Sequence, residues 1–265
     1  MTTTTETPES EARALPRRQQ LYREKVIAAL TSEFNYPNPM MVPKLEKIVI
    51  NMGVGQAVEN KNRMDAAVKD CITKGNMSTL NPPEEVYLAE RLIALHSWAG
   101  MARFARTGGE ANSIAVRIAR AYTGKSKIAF CGYHGWHDWY LSANLEDSKN
   151  LDKQLLSGLS PVGVPKELGS TSVPFNDGDL NALEAVLADG DVAAIKMEVM
   201  RSRTPSLNYL KDIRGLADKY SCLLIFDECT SGFREAFGGL HLNYGISPDL
   251  TVLGKALGNG YAITS

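Results

Sequence analysis

Nowhere in these 265 residues do about 18 apolar residues run together, which excludes an ordinary membrane-spanning helix. Cysteine is scarce and unpatterned. Cys71, Cys131, Cys222 and Cys229 form no C-x-x-C pair and no paired framework, which argues against a disulfide-stapled secreted scaffold and for a reduced, cytoplasmic compartment. Charge of one sign is also lacking: a net charge of −1 argues against nucleic-acid binding through bulk charge. Residues 1–11 lack the apolar centre of a signal peptide, and their Thr- and Glu-rich composition leads us to expect a disordered tail over residues 1–16. What the sequence has is ordinary for a globular protein: 44% hydrophobic and 22% charged residues, enough to build a core over most of its length.

Two textures follow one another along the chain. Arg17 to Phe34 reads as a helix, with Leu21, Val26, Ile27 and Leu30 near helical spacing, and Tyr36-Pro-Asn-Pro breaks it. Leu45 to Val54 reads as a strand with Ile48 and Ile50 on one face, and Lys61 to Lys74 as a further helix. From Gly75 onward helices alternate with buried strands. Helices are expected at Pro83–His96, Glu110–Tyr122, Leu180–Ala188 and Tyr209–Tyr220. Strands are expected at Met101–Ala105, Lys127–Cys131, Val192–Val199, Leu223–Phe226 and Leu250–Leu253. Such alternation implies an α/β fold, a mostly parallel sheet with helices on both faces. Ligands of such sheets bind beyond the carboxyl ends of the strands.

Four features fall just after expected strands. Thr107-Gly-Gly-Glu offers exposed amides at a helix start, a turn that suits phosphate and is often merely structural. Cys131-Gly-Tyr-His-Gly-Trp-His-Asp puts aromatics in a glycine-rich loop, which suits stacking on a flat ring. His134, His137 and Asp138 would also suit a metal, but no further ligand at zinc spacing accompanies them and no metal is expected. Leu223-Leu-Ile-Phe-Asp-Glu ends an apolar strand in two carboxylates, able to pair with a pyridinium nitrogen or a nucleotide's metal, or simply to cap. Gly254-Lys-Ala-Leu-Gly-Asn-Gly holds a lysine among glycines and apolar residues, where partial desolvation weakens its preference for charge. Phosphate turn, ring platform, strand-end Asp and strand-end Lys together are the groups that pyridoxal-phosphate (PLP) chemistry requires.

Residues 75–265 resemble the class III (fold type I) PLP-dependent aminotransferases, and within them the branch similar to glutamate-1-semialdehyde aminotransferase. The likeness rests on Lys74-Gly-Asn-Met-Ser-Thr-Leu-Asn, Arg103-Phe-Ala-Arg-Thr-Gly-Gly-Glu-Ala-Asn, Gly132-Tyr-His-Gly-Trp-His-Asp, Phe226-Asp-Glu-Cys-Thr-Ser-Gly-Phe-Arg, and Pro248-Asp-Leu with Gly254-Lys-Ala-Leu-Gly-Asn-Gly-Tyr. The resemblance implies amino-group transfer, transaminase or aminomutase, between a small-molecule donor and acceptor in a homodimer. It implies that Gly108 and Gly109 hold the PLP phosphate and that Tyr133 stacks on the ring with His134 close by. Asp227 is then the partner of the ring nitrogen, Lys255 the Schiff-base lysine, and Glu198 a further residue near the cofactor. Trp136, Trp139 and the loop after them are expected on the substrate side, a lining suited to a bulky or sugar-like substrate.

Residues from about 20 to between 60 and 72 resemble instead the N-terminus of the bacterial ribosomal large-subunit protein that binds 5S rRNA. The carrying strings are Tyr22-Arg-Glu-Lys-Val, Glu33-Phe-Asn-Tyr, Asn38-Pro-Met and Val42-Pro-Lys-Leu-Glu-Lys-Ile-Val-Ile-Asn-Met-Gly-Val-Gly. A leader over 17–72 and a PLP-binding large domain over 73–265 are therefore expected, incomplete at the C-terminus, as in a fragment or fusion that is not a competent enzyme and exposes apolar surface. rRNA binding through residues 20–60 is the rival function, with nucleic acid otherwise not expected as a partner. A nucleotide-hydrolase reading of Thr123-Gly-Lys-Ser fails, because Ala119 stands where its first glycine belongs and the segment ends a helix.

Overall fold

The computed structural model describes residues 24, 25, 27–35, 69, 70, 73, 82–201, 203–260 and 262–265. The chain divides into two compact units, residues 1–50 and 51–265. In the first, the described residues form helix α1 (Ile27–Phe34), inside the helix expected from Arg17. The strand expected at Leu45–Val54, and most of the helix expected at Lys61–Lys74 and of the ribosomal-protein-like strings, lie outside the described residues.

The second unit runs α2 (Pro83–Leu95), α3 (Gly108–Thr123), β1 (Lys127–Cys131), α4 (Asp138–Leu141), β2 (Ser172–Pro174), α5 (Leu180–Leu187), β3 (Val192–Glu198), α6 (Leu207–Lys219), β4 (Leu223–Glu228), α7 (Leu240–Tyr244) and β5 (Leu250–Leu253). Its five strands form one parallel sheet in the order β2-β1-β3-β4-β5. The strands read as continuous apolar runs because both faces are covered. Along β3 and β4 every residue but Glu198 and Leu223 is buried.

Local chemistry sets the helix ends. Pro83 occupies the first turn of α2, where a missing N–H costs nothing, and Glu84 and Glu85 favour the positive end of the dipole. Helix α3 opens with a capping box, in which Thr107 Oγ1 accepts from Glu110 N at 3.2 Å and Glu110 Oε2 accepts from Thr107 N at 3.0 Å. It closes on Gly124, whose φ of 69° is the left-handed conformation that ends helices. Lys125 then donates to the carbonyls of Tyr220 and Ser221, so this lysine ties two loops together instead of cradling phosphate.

Two apolar layers enclose the sheet. On one face Leu183 and Leu187 of α5 and Leu210, Ile213 and Ala217 of α6 pack on Ile195, Met197, Leu224 and Phe226. On the other, Ala111, Ala115, Val116 and Ala119 of α3 pack on Ile128, Phe130, Ala194, Ile225 and Val252. The alanines lie on one face of α3 at a spacing of four, which lets its backbone approach the sheet closely.

The strand expected at Met101–Ala105 is not formed. Ala105 alone makes an antiparallel bridge, with Thr264, while Met101 is almost fully exposed and gives that segment nothing to bury. Strand β2 went unforeseen because three residues are too short to show a period.

Leu210 is fully buried between α6 and the sheet, and Leu210→Ala leaves a cavity there. Urea titration should find it less stable by about 2–5 kcal/mol at unchanged m-value.

Candidate active site

The carboxyl ends of β1, β3, β4 and β5, with the start of α3, surround a cleft of about 460 Å³. Gly108, Gly109, Tyr133, His134, Glu198, Asp227 and Lys255, separated by up to 147 positions in the chain (255 − 108), all line it. This is the place the sheet topology dictates.

Asp227, 3% exposed, is the second-to-last residue of β4 and pairs with Glu198 at the end of β3. Its Oδ2 accepts from Asn112 Nδ2 at 2.9 Å and faces His134 Nδ1 at 2.8 Å, and its Oδ1 accepts from Cys229 N at 3.0 Å. Burial pushes this carboxyl up, but the hydrogen bond from His134, the charge of Lys196 and the Cys229 amide outweigh it and hold the group well below the usual carboxylate range. Asp227 is thus a buried anion at neutral pH.

His134 is buried with both ring nitrogens engaged, since Nε2 lies 3.0 Å from the Cys131 carbonyl. Its ring stacks on Trp139 at 6.1 Å between centroids. Trp139 is itself buried in the layer under α3, so it packs the site from behind and does not line a substrate side. Trp136 is exposed and does line the cleft.

Tyr133 is half-buried, its ring edge-on to Tyr140 at 5.6 Å and its amide donating to Glu198 Oε2 at 3.0 Å. Gly132 precedes it with φ of 104°, and a Cβ there would stand 2.6 Å from Glu198 Oε2, so only glycine lets the loop turn over Glu198. The Glu198 carboxylate is gripped by Arg201, whose Nε and Nη2 donate at 2.5 and 2.6 Å in the fork geometry of a strong pair.

At the α3 start, the capping box uses the amides of Arg106, Thr107 and Glu110. The amides of Gly108 and Gly109 take no part in it and open on the cleft. Lys255, with φ of 45° in the left-handed region, sends Nζ to Thr230 Oγ1 at 3.2 Å. The partial desolvation expected for it is not found. Lys255 is exposed, because it leaves a 3-10 turn at the mouth of the cleft and no described residue covers it.

Sequence reading missed four polar groups here. Asn112 sits two residues into α3 beyond Glu110, in a string already singled out; its turn toward β4 is tertiary. Arg201 follows Glu198 by three residues but lies past the strand end, where no local pattern marks it. Cys229 lines the cleft next to Asp227. Lys196 is fully buried on β3 with no hydrogen-bond partner for Nζ among the described residues, and burial pushes its ammonium down against the pull of Asp227. No periodicity in an apolar strand would have marked it as anything but an outward-facing lysine.

Residues 54–265 match the family Aminotransferase class-III. The chain belongs to the class III aminotransferases. A 3-aminobutyryl-CoA aminotransferase of Cloacimonas acidaminovorans is 37% identical over 209 residues, 76% of this chain and 46% of that protein. A glutamate-1-semialdehyde 2,1-aminomutase of Methanothrix thermoacetophila is 38% identical over 210 residues, 74% of this chain and 46% of the relative. Among solved structures, a transaminase with PLP bound superposes with a TM-score of 0.63 at 28% identity, over 77% of this chain and 48% of that one. The chain therefore spans about half the length of the relatives it matches.

PLP, the cofactor of this family, fits the groups present. A buried ionised carboxylate faces the cleft, an orphaned buried Asn112 Oδ1 lies beside it, and two glycine amides and a lysine amine open on the same space. Gly109 has no room for a Cβ, which would stand 2.6 Å from the His137 ring.

The depressed Asp227 carboxyl makes native stability pH-dependent in acid. Its contribution is complete above the unfolded-chain value near pH 4 and is lost as pH falls toward the lower native value. Asp227→Asn should therefore flatten the acid limb of stability against pH, by up to about 1.4 kcal/mol per pH unit below pH 4. Urea titrations of both chains at several pH values read this directly, and parallel acid limbs would refute it.

Proposed function

We propose that this chain carries out PLP-dependent amino-group transfer, of transaminase or aminomutase type, with a small-molecule amino donor and acceptor. The observation that carries the reading is the meeting, in one cleft, of the Asp227 carboxylate, the Gly108 and Gly109 amides and the Lys255 amine. Bound PLP supplies an electron sink for a carbanion beside the transferred nitrogen. Asp227 holds the ring nitrogen protonated, and Asn112, His134 and the Cys229 amide fix both its oxygens so that one direction remains for that contact. Gly108 and Gly109 take the phosphate at the positive end of α3. Tyr133 would stack on the cofactor ring, and Glu198, held by Arg201 and the Tyr133 amide, would lie near it. Lys255 Nζ would be the amine that holds the cofactor and, once the substrate's amine has displaced it, the group that carries a proton from and to the substrate carbon next to nitrogen; Thr230 Oγ1 lies within hydrogen-bond reach of that amine.

Transaminase and aminomutase chemistry use these same residues, and the names of the two sequence relatives include one of each. A homodimer belongs to the same reading, supported by the exposed Ile118 and Tyr122 on the outer side of α3. A cytoplasmic compartment is supported by Cys131, Cys222 and Cys229, all free and buried. No helix among the described residues is long and apolar enough to cross a membrane.

Incubation with PLP, reduction with borohydride and peptide mass spectrometry test the assignment. A stoichiometric pyridoxyl group on Lys255 is expected, absent from Lys255→Ala and strongly reduced in Asp227→Ala. Labels scattered over surface lysines would overturn it.

A further inference from the structure

His137 lines the cleft, yet the function proposed above gives it nothing to do. Its ring lies directly against the backbone of Gly109, where a Cβ would stand 2.6 Å from Cδ2 and 2.7 Å from Nε2. The same loop is pressed there a second time, because a Cβ on Gly135 (φ 97°) would stand 2.8 Å from Gly109 Cα. The loop and the turn at the start of α3 are thus mutually fitted, and two glycines are required to bring the imidazole so close.

That imidazole is uncommitted. The ring nitrogens of His96 and His134 each face two acceptors in the protein. Neither ring nitrogen of His137 has a hydrogen-bond partner among the described residues, and the ring is only half-buried, tilted against Trp136 at 5.7 Å. Its charged neighbour is Glu110, the acidic member of the capping box, whose carboxylate His137 helps to hold ionised after the larger effects of the Arg106 and Thr107 amides. A phosphate brought to the Gly108 and Gly109 amides therefore arrives at a turn that already carries a carboxylate. Two neutral amides and a helix end offset that repulsion only in part. A side-chain donor lying against Gly109 supplies what is missing.

We propose that His137 is a third ligand of the cofactor phosphate, donating a ring N–H to a phosphate oxygen beside the amides of Gly108 and Gly109. It rests on the PLP reading for the identity of the phosphate ester, and on the packing of the His137 ring against Gly109 for its place.

The test compares PLP with pyridoxal, which lacks the phosphate, as ligands of the wild-type, His137→Ala and His137→Gln chains. Occupancy is read by borohydride trapping on Lys255 across a concentration series. His137→Ala should weaken PLP about tenfold or more, the loss of one hydrogen bond to a charged group, and leave pyridoxal unchanged. His137→Gln, which keeps an N–H near Nε2, should recover part of the difference. Equal weakening of both ligands, or of neither, would overturn the proposal while leaving the PLP reading intact. Should the wild-type chain trap neither ligand on Lys255, that reading fails and inorganic phosphate becomes the probe. Shifts of the Gly108 and Gly109 amide resonances that His137→Ala abolishes would sustain the phosphate role, and their absence would overturn it.

Discussion

A carboxylate that is 3% exposed and still ionised is the constraint around which this domain is arranged. Desolvating such a group costs several kcal/mol unless partners replace the lost water. Asp227 obtains them from three different elements: Asn112 from α3, His134 from the loop after β1, and the amide of Cys229 from its own chain just past β4. Losing any one partner would leave part of that charge uncompensated, so the site depends on all three elements arriving together. The demand propagates outward. His134 must be held, hence its second bond to the Cys131 carbonyl and its stacking on Trp139. The next residue, Glu228, is also buried and is matched in the same manner by Ser231, the amides of Leu240 and His241, and the His241 ring.

Helix α3 links this demand to the core. Its alanines pack on the sheet, its first amides open on the cleft, and Asn112 on the same helix reaches Asp227. Packing therefore sets the separation between the amides and the carboxylate. Small residues on the packing face hold the helix at one distance, and the capping box fixes where it starts. In this way the Ala111–Ala119 spacing, a stability feature, becomes a positional one for the site.

Several polar and strained groups stand at the carboxyl end of the sheet. Lys255 has a positive φ although it is not glycine, and among the described residues neither Lys196 Nζ nor Asn112 Oδ1 has a hydrogen-bond partner. Departures of this kind from packing rules cost stability, and at Lys255 and Asn112 they fall on residues that line the cleft.

Sequence alone determined the parallel α/β class and the strands β1, β3, β4 and β5, because apolar runs of four to seven residues bounded by turn signals leave few other solutions. It also marked the strings that hold Gly108, Gly109, Tyr133, His134, Asp227 and Lys255, because their chemistry is local: a glycine turn, an aromatic loop, a strand-end charge; Glu198 came only from the family resemblance. Only the tertiary structure decided which groups answer which. That Asn112 turns to Asp227, that Arg201 grips Glu198, that Trp139 backs the site while Trp136 faces it, and that His137 rests on Gly109 are matters of side-chain direction across elements distant in the chain. The segment Met101–Ala105 makes the converse point. Its pattern favoured a strand, but a strand exists only where a neighbour offers it a ladder, and of that segment only Ala105 found one. Periodicity records which face of an element is buried. It carries no information on what lies across from that face, because this is set by packing between elements.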